Sequence, residues 1–278
     1  MSNRKNRYLW DENGVRYQLV KSKGIDRKFF NWLFFPGGPG VDSCYLTSLT
    51  DTLDLPGNVW HIDFPNNGDN LIKDKDIQDF DAWSSRYLLP IIKHFSNPVF
   101  VGHSFGGMIP LTNPLIEEPL KGLVLISSAP GVWLEASAKK AKEMNLPDLG
   151  GFFAAYMNNP SAKFLETNKV MYQYYFTPSK QKEGAELLDE VPANVYGPRW
   201  WMPKAQNMKY PAWIPQNLPC LIIGGELDAC TPFFMFEEDK RFHGNNILMK
   251  KIKGAAHFPW IENKEEVASA FQAFCESL

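Results

Sequence analysis

Short apolar runs alternate with helix-patterned stretches along this chain. The runs are Asn31–Phe35 (NWLFF), Val59–Phe64 (VWHIDF), Pro98–Gly102 (PVFVG), Gly122–Ser127 (GLVLIS), Leu218–Gly225 (LPCLIIGG) and Asn246–Ile252 (NILMKKI). Most are nearly continuous in apolar residues, the pattern of strands covered on both faces. Between them apolar positions recur at helical steps. Phe80, Trp83, Tyr87 and Ile91 form one stripe, and Val267, Phe271, Phe274 and Leu278 form another, so each segment is expected to pack one face on a sheet. Pro90 is expected to kink the first of these helices or end it nearby. Tyr8–Val20 holds a turn signal at Asp11–Gly14 between two strand-like pieces, which predicts an antiparallel hairpin at a sheet edge. The alternation as a whole predicts an α/β fold, a mostly parallel central sheet flanked by helices.

One stretch departs from this rhythm. No strand-like run appears between Ala129 and Trp213, and the sequence there turns aromatic and proline-rich, with Phe152, Phe153, Tyr156, Phe164, Tyr172, Tyr174, Tyr175, Phe176, Tyr196, Trp200 and Trp201. A structureless loop of that length does not suit a compact domain. A helical cap over 131–213 is therefore expected, inserted between core segments 1–130 and 214–278.

Composition narrows the function classes. Hydrophobic residues make up 44% of the 278 positions and charged residues 22%, so a packed core is expected rather than general disorder. The formal net charge of −2 provides no electrostatic footprint for nucleic acid, and Arg4–Lys5 and Lys250–Lys251 are too short to track phosphates. The basic N-terminus lacks an apolar stretch of signal-peptide length, and nothing approaches the ~20 apolar residues of a membrane span. The four cysteines, Cys44, Cys220, Cys230 and Cys275, show no C-x-x-C pair and no metal-ligand spacing, as for thiols in a reducing compartment. A cytoplasmic location is the expectation, with no membrane or nucleic-acid partner. No cofactor and no metal are expected: no His/Asp/Glu cluster has ligand spacing, and Pro36–Gly40 lacks the Lys-Ser/Thr of a phosphate-binding loop.

The chemistry concentrates after the run Pro98–Gly102. There Gly102-x-Ser104-x-Gly106 sits where a strand meets a helix. A serine on so sharp a turn adopts a strained backbone, and flanking glycines let neighbouring segments approach without Cβ clashes. The turn lifts the hydroxyl above the C-terminal edge of the sheet, where ligands of open α/β folds bind. The following helix N-terminus offers N–H groups to a developing oxyanion. His103, adjacent in sequence, is read as a packing residue of the turn, because neighbouring side chains there diverge.

With these features the sequence resembles the α/β-hydrolase superfamily over essentially its whole length. That resemblance implies a triad in the chain order nucleophile, acid, histidine, the acid after the penultimate strand and the histidine after the last. Leu218–Gly225 is followed by Glu226-Leu227-Asp228 and Thr231-Pro232, and the last run by Gly254-Ala255-Ala256-His257-Phe258-Pro259-Trp260. The resemblance assigns Ser104 as nucleophile, Asp228 as acid with Glu226 as runner-up, and His257 as general base; His61, His94 and His243 lack its placement. Pro36-Gly37-Gly38-Pro39-Gly40 is similar to the H-G-G-P-G segment of the proline iminopeptidase branch. It implies an oxyanion hole from Gly38 and Phe105, with Gly37 as substitute. Position 36 holds proline where that branch has a histidine that supports the loop, and Asp63–Gly68 departs from the branch's Asp-x-x-Gly-x-Gly-x-Ser turn.

The leading functional expectation is hydrolysis of a small carboxylic ester or related acyl substrate, since an aromatic lid would line an apolar acyl pocket. Trp200 and Trp201 are its candidate substrate contacts. Removal of an N-terminal proline from peptides is a second reading, carried by the Gly-Gly-Pro-Gly loop, and lyase or C–C hydrolase chemistry uses similar triads. A non-catalytic ligand-binding protein on the same fold is the reading from another class.

Overall fold

The computed structural model describes residues 8–23, 29–71, 83–151, 169–194, 196–198, 201 and 213–278. Among them, eight strands form one sheet: β1 (Leu9–Trp10), β2 (Arg16–Ser22), β3 (Phe30–Phe35), β4 (Gly57–Asp63), β5 (Pro98–His103), β6 (Gly122–Ile126), β7 (Cys220–Gly225) and β8 (Ile247–Ile252). Their order is β1-β2-β4-β3-β5-β6-β7-β8. The predicted hairpin is β1–β2, paired antiparallel, and β2 runs antiparallel to β4. From β4 to β8 every pairing is parallel. The loops leaving β3, β5, β6, β7 and β8 therefore emerge along one sheet edge, where side chains distant in sequence can meet.

Strand periodicity divides the core into two layers. Leu33, Phe35, Phe100, Leu123, Leu125 and Ile222 face one side, while Trp32, Phe34, Val99, Val101, Val124 and Ile223 face the other. The alternation follows from successive side chains of a strand pointing to opposite faces. Trp83, Tyr87 and Ile91 cover the first layer. The C-terminal helix Lys264–Ser277 covers the second with Val267, Phe271 and Phe274, the last two rings lying 6.4 and 6.3 Å from that of Trp32. Asn263 caps this helix through its side chain, which accepts from Glu266 N–H.

The helical segment around Pro90 changes register just before the proline and ends at His94. Trp83–Leu88 is a π-helical turn that passes into the α-helix Leu89–His94, with Pro90 in its first turn. Proline can neither donate to the preceding turn nor pack against its i−4 carbonyl, and the wider π turn just before it is where the register changes; Phe80 lies outside the described residues. Between β6 and β7 the described residues include the helices Leu134–Glu143 and Gln181–Asp189. They also form a single antiparallel bridge, Val41 with Ala193. No helix among the described residues is long and apolar enough to cross a membrane.

Candidate active site

Ser104 stands at the end of β5 with φ 53° and ψ −123°, a region that a non-glycine residue occupies only at a cost of order 1–3 kcal/mol. Its neighbours hold it there. Ser104 N–H donates to Ile126 C=O at 2.9 Å, and Gly107 N–H donates to Ser104 C=O at 2.9 Å. The short helix Phe105–Met108 begins immediately after it. Gly106 explains how closely the turn approaches the loop after β3, since a Cβ there would lie 2.4 Å from Pro36 O. A Cβ on Gly37 would lie 3.0 Å from Ser104 Cβ, so the glycine loop and the serine are in contact.

The loops after β7 and β8 bring Asp228 and His257 together. Leu227 N–H donates to Ala255 C=O at 2.8 Å, zipping the two loops at their bases. Asp228 is fully buried and His257 is 3% exposed. His257 Nδ1 lies 2.9 Å from Asp228 Oδ2. The carboxylate is otherwise saturated: Oδ1 accepts from Cys230 N–H at 2.8 Å and Thr231 N–H at 3.0 Å, and Oδ2 accepts from Thr231 Oγ1 at 3.1 Å. With Oδ2 as acceptor, the imidazole proton resides on Nδ1 and Nε2 is left as the basic nitrogen. Glu226 is elsewhere, its Oε2 accepting from Gly254 N–H at 2.9 Å.

The sequence between β6 and β7 also reaches this site. Tyr175 C=O accepts from His257 N–H at 3.1 Å, and the Tyr175 ring stacks on the imidazole at 5.5 Å and 21°. Glu262 ties both segments together, accepting from Thr177 N–H at 2.6 Å and from Ala256 N–H. Burial of this carboxyl group raises its pKa. Trp201 is buried against Phe105, the residue after Ser104, at 4.7 Å and stacks on Trp133 at 5.6 Å and 8°. Trp200 lies outside the described residues, as do Phe152, Phe153, Tyr156 and Phe164.

Two assignments are sharpened by hydrogen bonds. Gly37 N–H donates to Tyr45 Oη at 2.7 Å, so the substitute oxyanion donor is already engaged. Cys230, spaced from any partner so as to look incidental, has its sulfur within 4.8 Å of the Asp228 and His257 donor atoms. Those two atoms satisfy each other, and burial followed by the Asp228 charge raises the Cys230 thiol pKa.

The family pattern described as the Alpha/beta hydrolase family matches residues 32–270. The chain belongs to the α/β-hydrolase family. No curated protein sequence matches it, but solved structures of the same fold do. A proline iminopeptidase-related protein from Thermus thermophilus superposes with a TM-score of 0.71 at 18% identity, covering 98% of each chain. An esterase from Exiguobacterium antarcticum gives 0.71 at 15% identity, covering 97% of this chain and 99% of its own. A bromoperoxidase from Bacillus anthracis gives 0.67 at 16% identity, with 94% and 95% covered.

Within this α/β hydrolase, sequence reading passed over several residues that the site uses. Thr231 follows Asp228 by three positions, and side-chain-to-backbone closure over that span is a local signal that can be read. Tyr45, Tyr175 and Glu262 act through contacts across 8, 82 and 85 positions, for which no local pattern exists.

Proposed function

We propose that this α/β hydrolase is a serine hydrolase of small carboxylic esters or related acyl compounds. The observation that carries the reading is the buried Asp228–His257 pair at 2.9 Å, held on the sheet edge where Ser104 occupies its strained turn. Ser104 Oγ attacks the acyl carbonyl and His257 Nε2 takes its proton. Asp228 keeps the Nδ1–H tautomer and steadies the imidazolium that forms. The N–H groups of Gly38 and Phe105 receive the oxyanion, since Gly37 N–H is committed to Tyr45. Protonated His257 then passes its proton to the leaving alcohol, and water attacks the acyl-enzyme by the same base. Tyr175 forms a wall beside His257, and Trp201, packed on Phe105 next to the nucleophile, lines the acyl side.

A second reading, removal of N-terminal proline, is favoured by the Pro36–Gly40 loop. A panel of nitrophenyl esters of increasing chain length, run beside proline-naphthylamide, separates the two. The proposal expects ester turnover that peaks at short or medium chains. Turnover of the proline amide with no ester turnover would replace it with the peptidase reading.

A further inference from the structure

Three loops of the site converge on one buried chain of hydrogen bonds that the triad chemistry does not use. Gly37 N–H, in the oxyanion loop, donates to Tyr45 Oη at 2.7 Å. Tyr45 Oη lies 2.7 Å from His103 Nδ1. His103 Nε2 lies 3.0 Å from His257 C=O. Tyr45 and His103 are each 2% exposed. Aromatic rings enclose His103, those of Phe258, Trp260 and His257 lying at 4.8, 4.9 and 4.9 Å.

The partners fix every proton. A carbonyl only accepts, so His103 Nε2 carries hydrogen. Neutral imidazole then presents Nδ1 as acceptor, and the Tyr45 hydroxyl donates to it. The hydroxyl oxygen keeps its lone pairs for Gly37 N–H. A charged imidazole would place two donors against one acceptor chain and strand the Tyr45 proton. Burial, and then the neighbouring His257, push the His103 pKa well below its ordinary value, in keeping with the neutral form.

The chain is anchored from outside as well. Tyr45 sits in the short 3₁₀ turn Ser43–Leu46, whose first residues are pinned to two buried carboxylates. Ser43 N–H and Oγ donate to Asp63 at 2.7 and 2.9 Å, and Cys44 N–H donates to Asp42 at 2.8 Å. Arg16 bridges Asp42 and Asp63.

We infer that Tyr45 and His103 are positioning residues, which set the Pro36–Gly37 peptide, through it the Gly38 N–H that follows, and the His257 backbone in register about Ser104, and so support the loop where position 36 has proline. This rests on the serine hydrolase reading. Its consequence is that Tyr45→Phe, which removes one oxygen and keeps the ring, leaves Gly37 N–H free to turn away. The oxyanion site loosens while the substrate pocket is unchanged.

The test has two arms. In kinetics on the best nitrophenyl ester, Tyr45→Phe lowers kcat at least tenfold and leaves KM within about twofold; Tyr172→Phe, which loses a solvent-facing tyrosine bond to Asp189, leaves both unchanged. An unaltered kcat, or a loss expressed mainly in KM, overturns the inference. The second arm needs neither turnover nor a variant. Ring-nitrogen NMR of the wild-type protein reports His103 neutral from pH 5 to 8, with Nε2 protonated and Nδ1 a hydrogen-bonded acceptor. A proton on Nδ1, or titration of His103 in that range, overturns the inference. Absence of ester turnover with the expected NMR pattern counts against the hydrolase reading instead.

Discussion

Replacing Asp228 by asparagine tests the tautomer assignment with little change in shape. The wild-type carboxylate receives four donors, two backbone N–H groups at Oδ1 and Thr231 Oγ1 with His257 Nδ1 at Oδ2. Asparagine has one oxygen and one amide nitrogen to replace them. If its oxygen faces His257, the NH₂ group confronts the Cys230 and Thr231 N–H donors in a fully buried site, at about 1–3 kcal/mol for each group left unsatisfied. If its oxygen faces the backbone, both N–H bonds survive and the NH₂ group donates to His257 Nδ1. The second arrangement strands fewer groups and is the expected one. It forces the imidazole proton onto Nε2, where it blocks acceptance of the Ser104 proton. The expected loss is about 10⁴-fold in rate, or ~5 kcal/mol of barrier at 1.36 kcal/mol per decade. The rate of phosphonylation by a fluorophosphonate, in which the Ser104 O–P bond forms as fluoride leaves, measures it by stopped assay, beside thermal melting. Glu226→Gln is the paired control and is expected to react at the wild-type rate. A rate for Asp228→Asn within tenfold of wild type, or an equal loss for Glu226→Gln, would refute the reasoning.

Two other outcomes follow from the same contacts. Gly106→Ala places a methyl group on the Pro36 carbonyl, a backbone atom that cannot rotate aside. It is expected to cost at least ~2 kcal/mol, seen as a fall of roughly 4–8 °C in Tm, and to slow acylation; an unchanged Tm contradicts the packing. His103 binds its proton more weakly folded than unfolded, so its contribution is fully present above the ordinary pKa of about 6.5 and is lost as pH falls below it. Urea unfolding from pH 7 to 5 is expected to show wild-type stability falling more steeply than that of His103→Asn, by up to ~1.4 kcal/mol per pH unit. Parallel slopes contradict a buried neutral His103.

Much of the fold is legible in the sequence because its strands are buried on both faces. β3, β5, β6 and β7 are nearly continuous apolar runs with every residue buried, and their boundaries are read to within two residues. β8 is half exposed and is found by position instead. The π-turn before Pro90 leaves no compositional trace, because π and α turns differ only in hydrogen-bond register. At the site, Ser104 is visible because its glycines are local. Asp228 and Glu226 stand two residues apart in one loop, and only the partner each faces separates them. Gly37 and Gly38 are likewise equivalent in sequence, and the Tyr45 hydroxyl distinguishes them. His103, read as packing, is buried among rings and also bonded at both nitrogens, which required the β5 and β8 loops to meet across 154 positions.

The central claim is that Ser104 is a nucleophile activated by His257. Intact-mass spectrometry after incubation with a fluorophosphonate probe tests it most directly, with peptide mapping to locate the adduct. The account predicts one adduct per chain on Ser104, abolished in Ser104→Ala and slowed by several orders of magnitude in His257→Ala. An unlabelled wild-type protein, or equal labelling of Ser104→Ala, would contradict it.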